Sequence, residues 1–133
     1  MPRYTITVGA SFNATHALRL PDGTFEPAHG HDWHLTATLG SDTLDAMGCV
    51  VDFHAAHDAL QQIIAPWHHG DLNRLAPFCV ASDLVINPSA ERVAEAVLDL
   101  LTPPVAALRR EARVLSVSTT EAPGCVATAH APG

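Results

Sequence analysis

Hydrophobic and polar residues alternate in two stretches of the first forty residues. Residues 4–8 and residues 33–39 both place apolar side chains at every second position. This period of two is typical of strands with one buried face. The first pattern continues less regularly through Phe12 towards His16, and Pro21-Asp22-Gly23 is strong turn chemistry. The two stretches therefore predict an antiparallel hairpin with a wide, irregular loop.

The period changes to that of a helix after residue 51. Asp52 is placed to cap a helix that Pro66 closes. A second helix follows Asn87-Pro88, with asparagine as the cap and proline at the first helical position. Thr102-Pro103-Pro104 is expected to end this helix, because proline lacks the N–H that a helix interior needs.

Two further strands, at residues 114–120 and 125–129, flank a Pro123-Gly124 turn. The order ββααββ predicts an α+β fold in one domain over residues 1–133, with a four-stranded antiparallel sheet and helices on one face. The outer strands of such a sheet would be unprotected in a monomer. We therefore expect assembly into a closed ring or barrel.

Composition excludes several classes of function. The chain has 133 residues, seven arginines, no lysine and a net charge of −7, which is a poor match to nucleic acid. No apolar run reaches the roughly 20 residues that a membrane helix needs. The N-terminus shows no signal-peptide core, so we expect a cytoplasmic protein. Three separated cysteines indicate neither a disulfide framework nor a cysteine zinc site.

Histidine provides the first candidate chemistry, with nine residues in the chain. If the second strand begins by His29, then His29 and His31 project from the same face. His16 ends the paired strand and could supply a third nitrogen. Three protein nitrogens with an open fourth position are typical of catalytic zinc. The alternative is that these histidines cap loops or face solvent.

The other histidines have less specific surroundings. His34 alternates to the face opposite Trp33 and is expected to be exposed. His57 shares the apolar stripe of the first helix and is expected in the core, although a metal pair with His54 is conceivable from their spacing. The His68-His69 pair follows this helix beside Asp71, which suits a general base oriented by a carboxylate. A polar turn is the alternative there.

Glu121 provides the second candidate chemistry. It lies where the third long strand meets its turn and is the only carboxylate after Ala112. A carboxylate at a strand end beside a pocket can accept paired N–H donors from a heterocycle. The alternative is a solvated glutamate in a turn.

Six segments, taken in order, carry a resemblance to a known family. They are Phe12–Leu18, His29-Gly30-His31, Gly48–Phe53, His69 with Leu72-Asn73, Asn87–Glu91 and Glu121. Together these segments resemble the 6-pyruvoyltetrahydropterin synthase / 6-carboxytetrahydropterin synthase family from Phe12 to Cys125. Each motif is common by itself, whereas six in the correct order are specific.

The resemblance implies a fold, a cofactor and a partner. It implies a tunnelling fold in which trimers form a barrel of strands, stacked as homohexamers, with active sites between subunits. It implies Zn²⁺ on His16, His29 and His31, where the metal acts as a Lewis acid on the side-chain hydroxyls of a pterin substrate. It also implies that Glu121 binds the 2-amino group and ring N–H of the pterin, and that His69 is catalytic.

Two positions depart from the family's pattern. Family synthases carry a cysteine base a few residues before the His-Gly-His segment, and residues 24–28 contain none. Glu26, three residues before His29, is the candidate substitute base. The family's aspartate before the catalytic histidine is replaced by His68, and Asp71 is the candidate support for His69.

The resemblance implies the reaction of 6-carboxytetrahydropterin synthase. In that reaction 7,8-dihydroneopterin triphosphate loses triphosphate and acetaldehyde, and the product feeds 7-deazaguanine and queuosine synthesis. A related branch of the family uses glutamate in place of the cysteine and cleaves the side chain to give 6-hydroxymethyldihydropterin, towards folate. A zinc and pterin binder without lyase activity is the third hypothesis.

Overall fold

The computed structural model describes residues 1–133 and contains seven strands and two α-helices. In chain order they are β1 Tyr4–His16, β2 His29–Ser41, α1 Phe53–Ile64, β3 Gly70–Asp71, β4 Cys79–Val80, β5 Asp83–Leu84, α2 Ala90–Leu108, β6 Arg113–Ala122 and β7 Cys125–His130. The four long strands and both helices predicted from the sequence are confirmed.

The main sheet has five strands in the order β3-β1-β2-β6-β7, so the prediction of four strands is wrong. The additional strand, β3, pairs parallel to the end of β1, with Gly70 opposite Ala14 and Asp71 opposite Thr15. A two-residue strand is too short to show a period of two, so the sequence pattern could not indicate it. Strands β4 and β5 form a separate two-stranded hairpin.

The register of β1 and β2 places the core and the candidate histidines on one face of the sheet. His16 pairs with His29, and Ala14 pairs with His31. Side chains at even positions from Val8 to His16 alternate with exposed neighbours, and those at positions 8, 12, 14 and 16 are buried. Both helices pack over this face, with α2 against β6 and β7 and α1 against β1.

Helix α1 begins as predicted. The Asp52 carboxylate accepts a hydrogen bond from Ala55 N at 3.0 Å, which caps the first turn. Ala56, Leu60 and Ile64 form the buried stripe. His57 lies beside this stripe and is only half-buried, so its prediction as a core residue is wrong; its ring contacts the Gln61 side chain instead.

Helix α2 begins two residues later than predicted. Ser89, not Asn87, is the cap, and its hydroxyl accepts from Arg92 N at 3.2 Å. The Asn87 side chain instead binds the backbone of Arg19. Asparagine and serine are both good caps, and tertiary contacts of Asn87 decide between them.

Helix α2 also runs through Pro103 and Pro104 to Leu108, so the prediction that it ends at residue 102 is wrong. The carbonyls that lose their helical donors belong to Asp99 and Leu100, which lie on the exposed face where water can bind them. Val105, after the two prolines, is fully buried against the core. Packing of this last turn therefore offsets the missing backbone hydrogen bonds.

The sheet leaves backbone edges free. Strand β7 forms one outer edge, and at the other edge β3 covers only the last residues of β1. The oligomeric barrel stays a prediction that these edges make physically reasonable. The protein has no helix with the combination of length and apolar character needed to cross a membrane.

Candidate metal centre

Four side chains from three strands meet where β1 ends and β2 begins. His16 ends β1, His29 and His31 open β2, and Glu121 lies near the end of β6. Their ligating atoms all lie within 4.8 Å of one another. The structure therefore brings together the three predicted histidines and places Glu121 beside them.

The distances suit a four-coordinate metal ion. His16 Nε2 lies 3.0 Å from His29 Nε2. Glu121 Oε1 lies 2.8 Å from His16 Nε2, 3.0 Å from His31 Nε2 and 3.8 Å from His29 Nε2. Ligand atoms about 2.0–2.1 Å from a tetrahedral zinc ion are separated by roughly 3.3 Å. These four separations lie within about half an ångström of that value.

Backbone carbonyls fix the tautomers of two of these histidines. His16 Nδ1 lies 2.7 Å from Pro88 O, and His29 Nδ1 lies 3.0 Å from Pro27 O. A carbonyl only accepts, so each Nδ1 carries the hydrogen and each Nε2 directs a lone pair into the cluster. His31 Nε2 is buried there, close to Glu121 Oε1 but without a well-aligned hydrogen bond. Converging lone pairs beside a carboxylate require a cation, either a proton or a metal ion.

Trp33 forms the apolar floor of the cluster. It is fully buried, donates from Nε1 to Ala14 O at 3.2 Å, and meets the His16 ring edge-on with centroids 4.8 Å apart. Burial lowers the pKa of His31, and the nearby Glu121 carboxylate opposes this effect. The neutral imidazole that burial favours is the form that binds a metal.

Glu121 also faces two open grooves. One groove, of about 400 Å³, is lined by residues that include His31, Asp32 and Pro123. The other, of about 360 Å³, is lined by residues that include Glu91 and Val126. The Glu121 side chain is therefore reached from the grooves as well as from the histidines, and a quarter of it is exposed.

Glu26 is half-buried in the loop that leads to His29. Its Oε1 accepts from Leu18 N at 3.1 Å, and its own N–H donates to Leu18 O at 3.0 Å. The carboxylate is thus oriented by the chain just after His16. Its second oxygen has no hydrogen-bond partner within the chain.

The predicted pair of His69 and Asp71 is arranged differently from expectation. His69 has a positive φ of 61°, and its N–H donates to Asn13 O at 2.6 Å. The Asp71 carboxylate accepts from Asn73 N at 3.0 Å and lies 3.6 Å from Arg74 Nε. It makes no hydrogen bond or ion pair with His69, so the structure does not support the prediction that Asp71 orients that ring. The neighbouring ring of His68 lies against His69, with centroids 3.8 Å apart and the planes tilted by 45°, and accepts from Asn13 N.

The comparison with family models gives one assignment over nearly the whole chain. The model described as 6-pyruvoyl tetrahydropterin synthase matches residues 5–132. The chain belongs to this family. A comparison with curated protein sequences finds no match.

Solved structures of the family have the same fold. The chain resembles the 6-pyruvoyl tetrahydropterin synthase of Plasmodium vivax, with 19% identity over 96% of this chain and 97% of that chain, at a TM-score of 0.77. For the Caenorhabditis elegans synthase the values are 18% identity, 99% and 98% coverage, and a TM-score of 0.78. A P. vivax variant, in which a catalytic glutamate is replaced by alanine, matches at 17% identity, 96% and 97% coverage, and a TM-score of 0.76.

Sequence reasoning missed the residues that hold the ligands in place. The Pro88 carbonyl contacts His16 itself, and the side chains of Asn73 and Asn87 bind the residues just after β1. A backbone carbonyl leaves no residue-type signal. The two asparagines lie in segments that resemble family motifs, but the pattern around Asn87 indicates a helix cap. The prediction that His34 is exposed is confirmed, and its ring contacts Ser11 on the opposite face of the sheet.

Proposed function

We propose that this member of the family is a zinc-dependent lyase that acts on 7,8-dihydroneopterin triphosphate, as 6-carboxytetrahydropterin synthases do. The observation that carries the proposal is the convergence of three imidazole nitrogens and a carboxylate within 4.8 Å. In this arrangement two Nδ1 atoms are already committed to backbone carbonyls. Histidine nitrogens in such a set are the donors that zinc prefers.

Different residues of the chain would bind the metal, bind the pterin and transfer protons. Bound by His16, His29 and His31, zinc would supply Lewis acidity that lowers the pKa of the substrate's side-chain hydroxyls. Glu121, which faces both the cluster and the open grooves, would accept the 2-amino and ring N–H donors of the pterin. Glu26 would take a proton from the side chain of the pterin substrate. His69 would exchange a proton with the substrate from the opposite side.

A second reaction is favoured by one specific observation. Glu26 is a carboxylate in the loop where family synthases carry a cysteine, and a catalytic glutamate is known in the P. vivax synthase of similar fold. Glutamate-based cleavage of the same substrate, with 6-hydroxymethyldihydropterin as product, is therefore the alternative. The queuosine or folate pathway follows from the product, and a cytoplasmic location is part of the same proposal.

The product formed from 7,8-dihydroneopterin triphosphate by the zinc-loaded protein tests both reactions, with mass spectrometry as the readout. 6-Carboxytetrahydropterin is the expected product and would support the first reaction. 6-Hydroxymethyldihydropterin would assign the second. Binding of the pterin with no turnover would contradict both and leave a zinc and pterin binder.

Two replacements of Glu26 separate a base from a structural hydrogen bond. The Glu26→Gln variant keeps an oxygen that can accept from Leu18 N but cannot take a proton, whereas the Glu26→Ala variant loses both functions. If Glu26 is the base, both variants lower kcat by about 100-fold or more, with zinc content unchanged. Wild-type turnover by Glu26→Gln, together with loss in Glu26→Ala, would show that the side chain only positions the loop.

We also infer that the active protein is a homo-oligomer, a trimer or a stacked pair of trimers. Two features support this inference: the free edges of β1 and β7, and the open grooves beside Glu121. Pairing of edge strands between subunits would cover the free edges and would enclose the grooves. Sedimentation velocity tests it, with a species of three or six chains expected. A monomer at micromolar concentration would contradict it.

A further inference from the structure

The three residues after His16 leave the sheet without losing their backbone hydrogen bonds. Ala17 N donates to Asn73 Oδ1 at 2.8 Å and Ala17 O accepts from Asn73 Nδ2 at 2.7 Å. Arg19 N and O bind the side chain of Asn87 in the same manner, at 2.7 and 3.0 Å. Leu18 N and O bind Glu26, as described above. All six backbone groups of residues 17–19 are therefore paired.

These contacts imitate a neighbouring strand. A side-chain amide has one acceptor and one donor group, and each asparagine uses both on a single residue of the segment. Residues 17–19 thus keep a fixed path beyond the last residue of β1, where only a single antiparallel bridge, between Arg19 and Phe25, continues the strand pairing. The position of His16 is consequently fixed on its C-terminal side by residues from distant parts of the chain.

Asn87 is coupled to the metal centre by the next residue. The carbonyl of Pro88 lies 2.7 Å from His16 Nδ1, and His16 is 1% exposed. Asn87, bonded to Pro88, also binds the backbone of Arg19, three residues after His16. The His16 ring and the carbonyl that accepts its hydrogen bond are therefore held together by contacts at both ends. Ser89, which follows, caps α2 and fixes the other end of the segment.

Asn73 is coupled to a different element. It lies in the turn that Asp71 caps, four residues after His69. Its contacts with Ala17 join this turn to the end of β1 without touching a histidine of the cluster. The two asparagines therefore make equivalent contacts with the same segment but connect it to different parts of the site.

We propose that Asn87 is a positioning residue for the metal ligand His16, and that Asn73 is a positioning residue for the loop that carries His69. The proposal rests on the proposed metal site. Loss of Asn87 alters the ligand geometry around the metal. Loss of Asn73 alters the placement of His69 and also releases the backbone of Ala17, next to His16. The Pro88 carbonyl still holds the His16 ring, so the metal ligands stay in place. Arg19 is exposed, so water can replace the Asn87 amide and the fold survives its removal.

The absorption spectrum of the cobalt-loaded protein and zinc affinity in competition with a chelator test the proposal on Asn87→Ala. Zinc binding is expected to weaken about 10- to 100-fold, which is typical for partners of metal ligands, with shifted cobalt bands. The melting temperature of the metal-free variant is expected to stay close to that of the wild type. Gln61→Ala, which removes an exposed amide from α1, is the matched control and keeps the wild-type spectrum.

The same measurements on Asn73→Ala complete the test. This variant is expected to keep the wild-type cobalt spectrum and zinc affinity but to lose about 10-fold or more in kcat. An unchanged spectrum and affinity in Asn87→Ala would overturn the proposal, as would unfolding of its metal-free form. Equal loss of metal in both variants would overturn the separation of their functions. A wild-type protein that binds neither cobalt nor zinc would overturn the metal site itself, and the positioning function with it.

Discussion

Replacement of His29 by alanine is expected to lower zinc affinity by more than about 100-fold, because loss of a direct ligand costs more than loss of a ligand's partner. His29 is the best of the three ligands to remove, since 41% of its side chain is exposed and its loss leaves no buried cavity. His16, by contrast, is buried beneath the start of α2. Zinc per chain after dialysis, together with a chelator competition, provides the measurement.

His34→Ala is the control for this experiment. It removes a histidine from the same strand, but from the exposed opposite face, and is expected to keep full zinc occupancy. One zinc ion per chain in His29→Ala, at wild-type affinity, would refute the three-histidine site. In that case zinc would be bound without His29.

Replacement of Glu121 by alanine is expected to weaken pterin binding by about 100-fold or more while zinc stays bound. Two hydrogen bonds to a charged carboxylate, at about 1.5–3 kcal/mol each, account for a loss of this size. The three histidines remain as ligands, so the metal is retained. Fluorescence titration with a pterin and metal analysis of the same sample measure the two effects separately.

The contacts of Glu121 make this experiment decisive. Its Oε1 lies within 3.0 Å of both His16 Nε2 and His31 Nε2, so the carboxylate could instead be the fourth metal ligand. Loss of zinc with unchanged pterin affinity would assign that function and reject the pterin anchor. Glu111→Ala, which removes a carboxylate paired with Arg109 and Arg110 before β6, is the control and is expected to change neither.

The positions of the three histidines could be predicted because strand geometry is local. Alternation along β1 and β2 determines which side chains share a face, and an antiparallel hairpin brings the end of one strand to the start of the next. This sufficed to bring His16, His29 and His31 together. The cap at Asp52 was predictable for the same reason, since its acceptor and donor are three residues apart.

The incorrect predictions concern residues whose contacts are distant in the sequence or depend on packing. Asn87 is a good helix cap by type, but it binds Arg19, 68 residues away. Two prolines would end an isolated helix, but burial of Val105 extends α2 past them. Asp71 lies close to His69 in the chain, but its carboxylate is used within its own turn.

The sequence by itself determined the α+β class, the two helices, the four long strands and the set of candidate ligands, because each depends on periodicity or on the order of motifs along the chain. Only the tertiary structure decided that Glu121 Oε1 lies among the histidine nitrogens and that Pro88 O fixes the His16 tautomer. It also decided that two asparagines hold the segment after β1. The physical reason is that hydrogen bonds between distant segments depend on how sheet and helices pack, and side-chain type alone does not encode that packing.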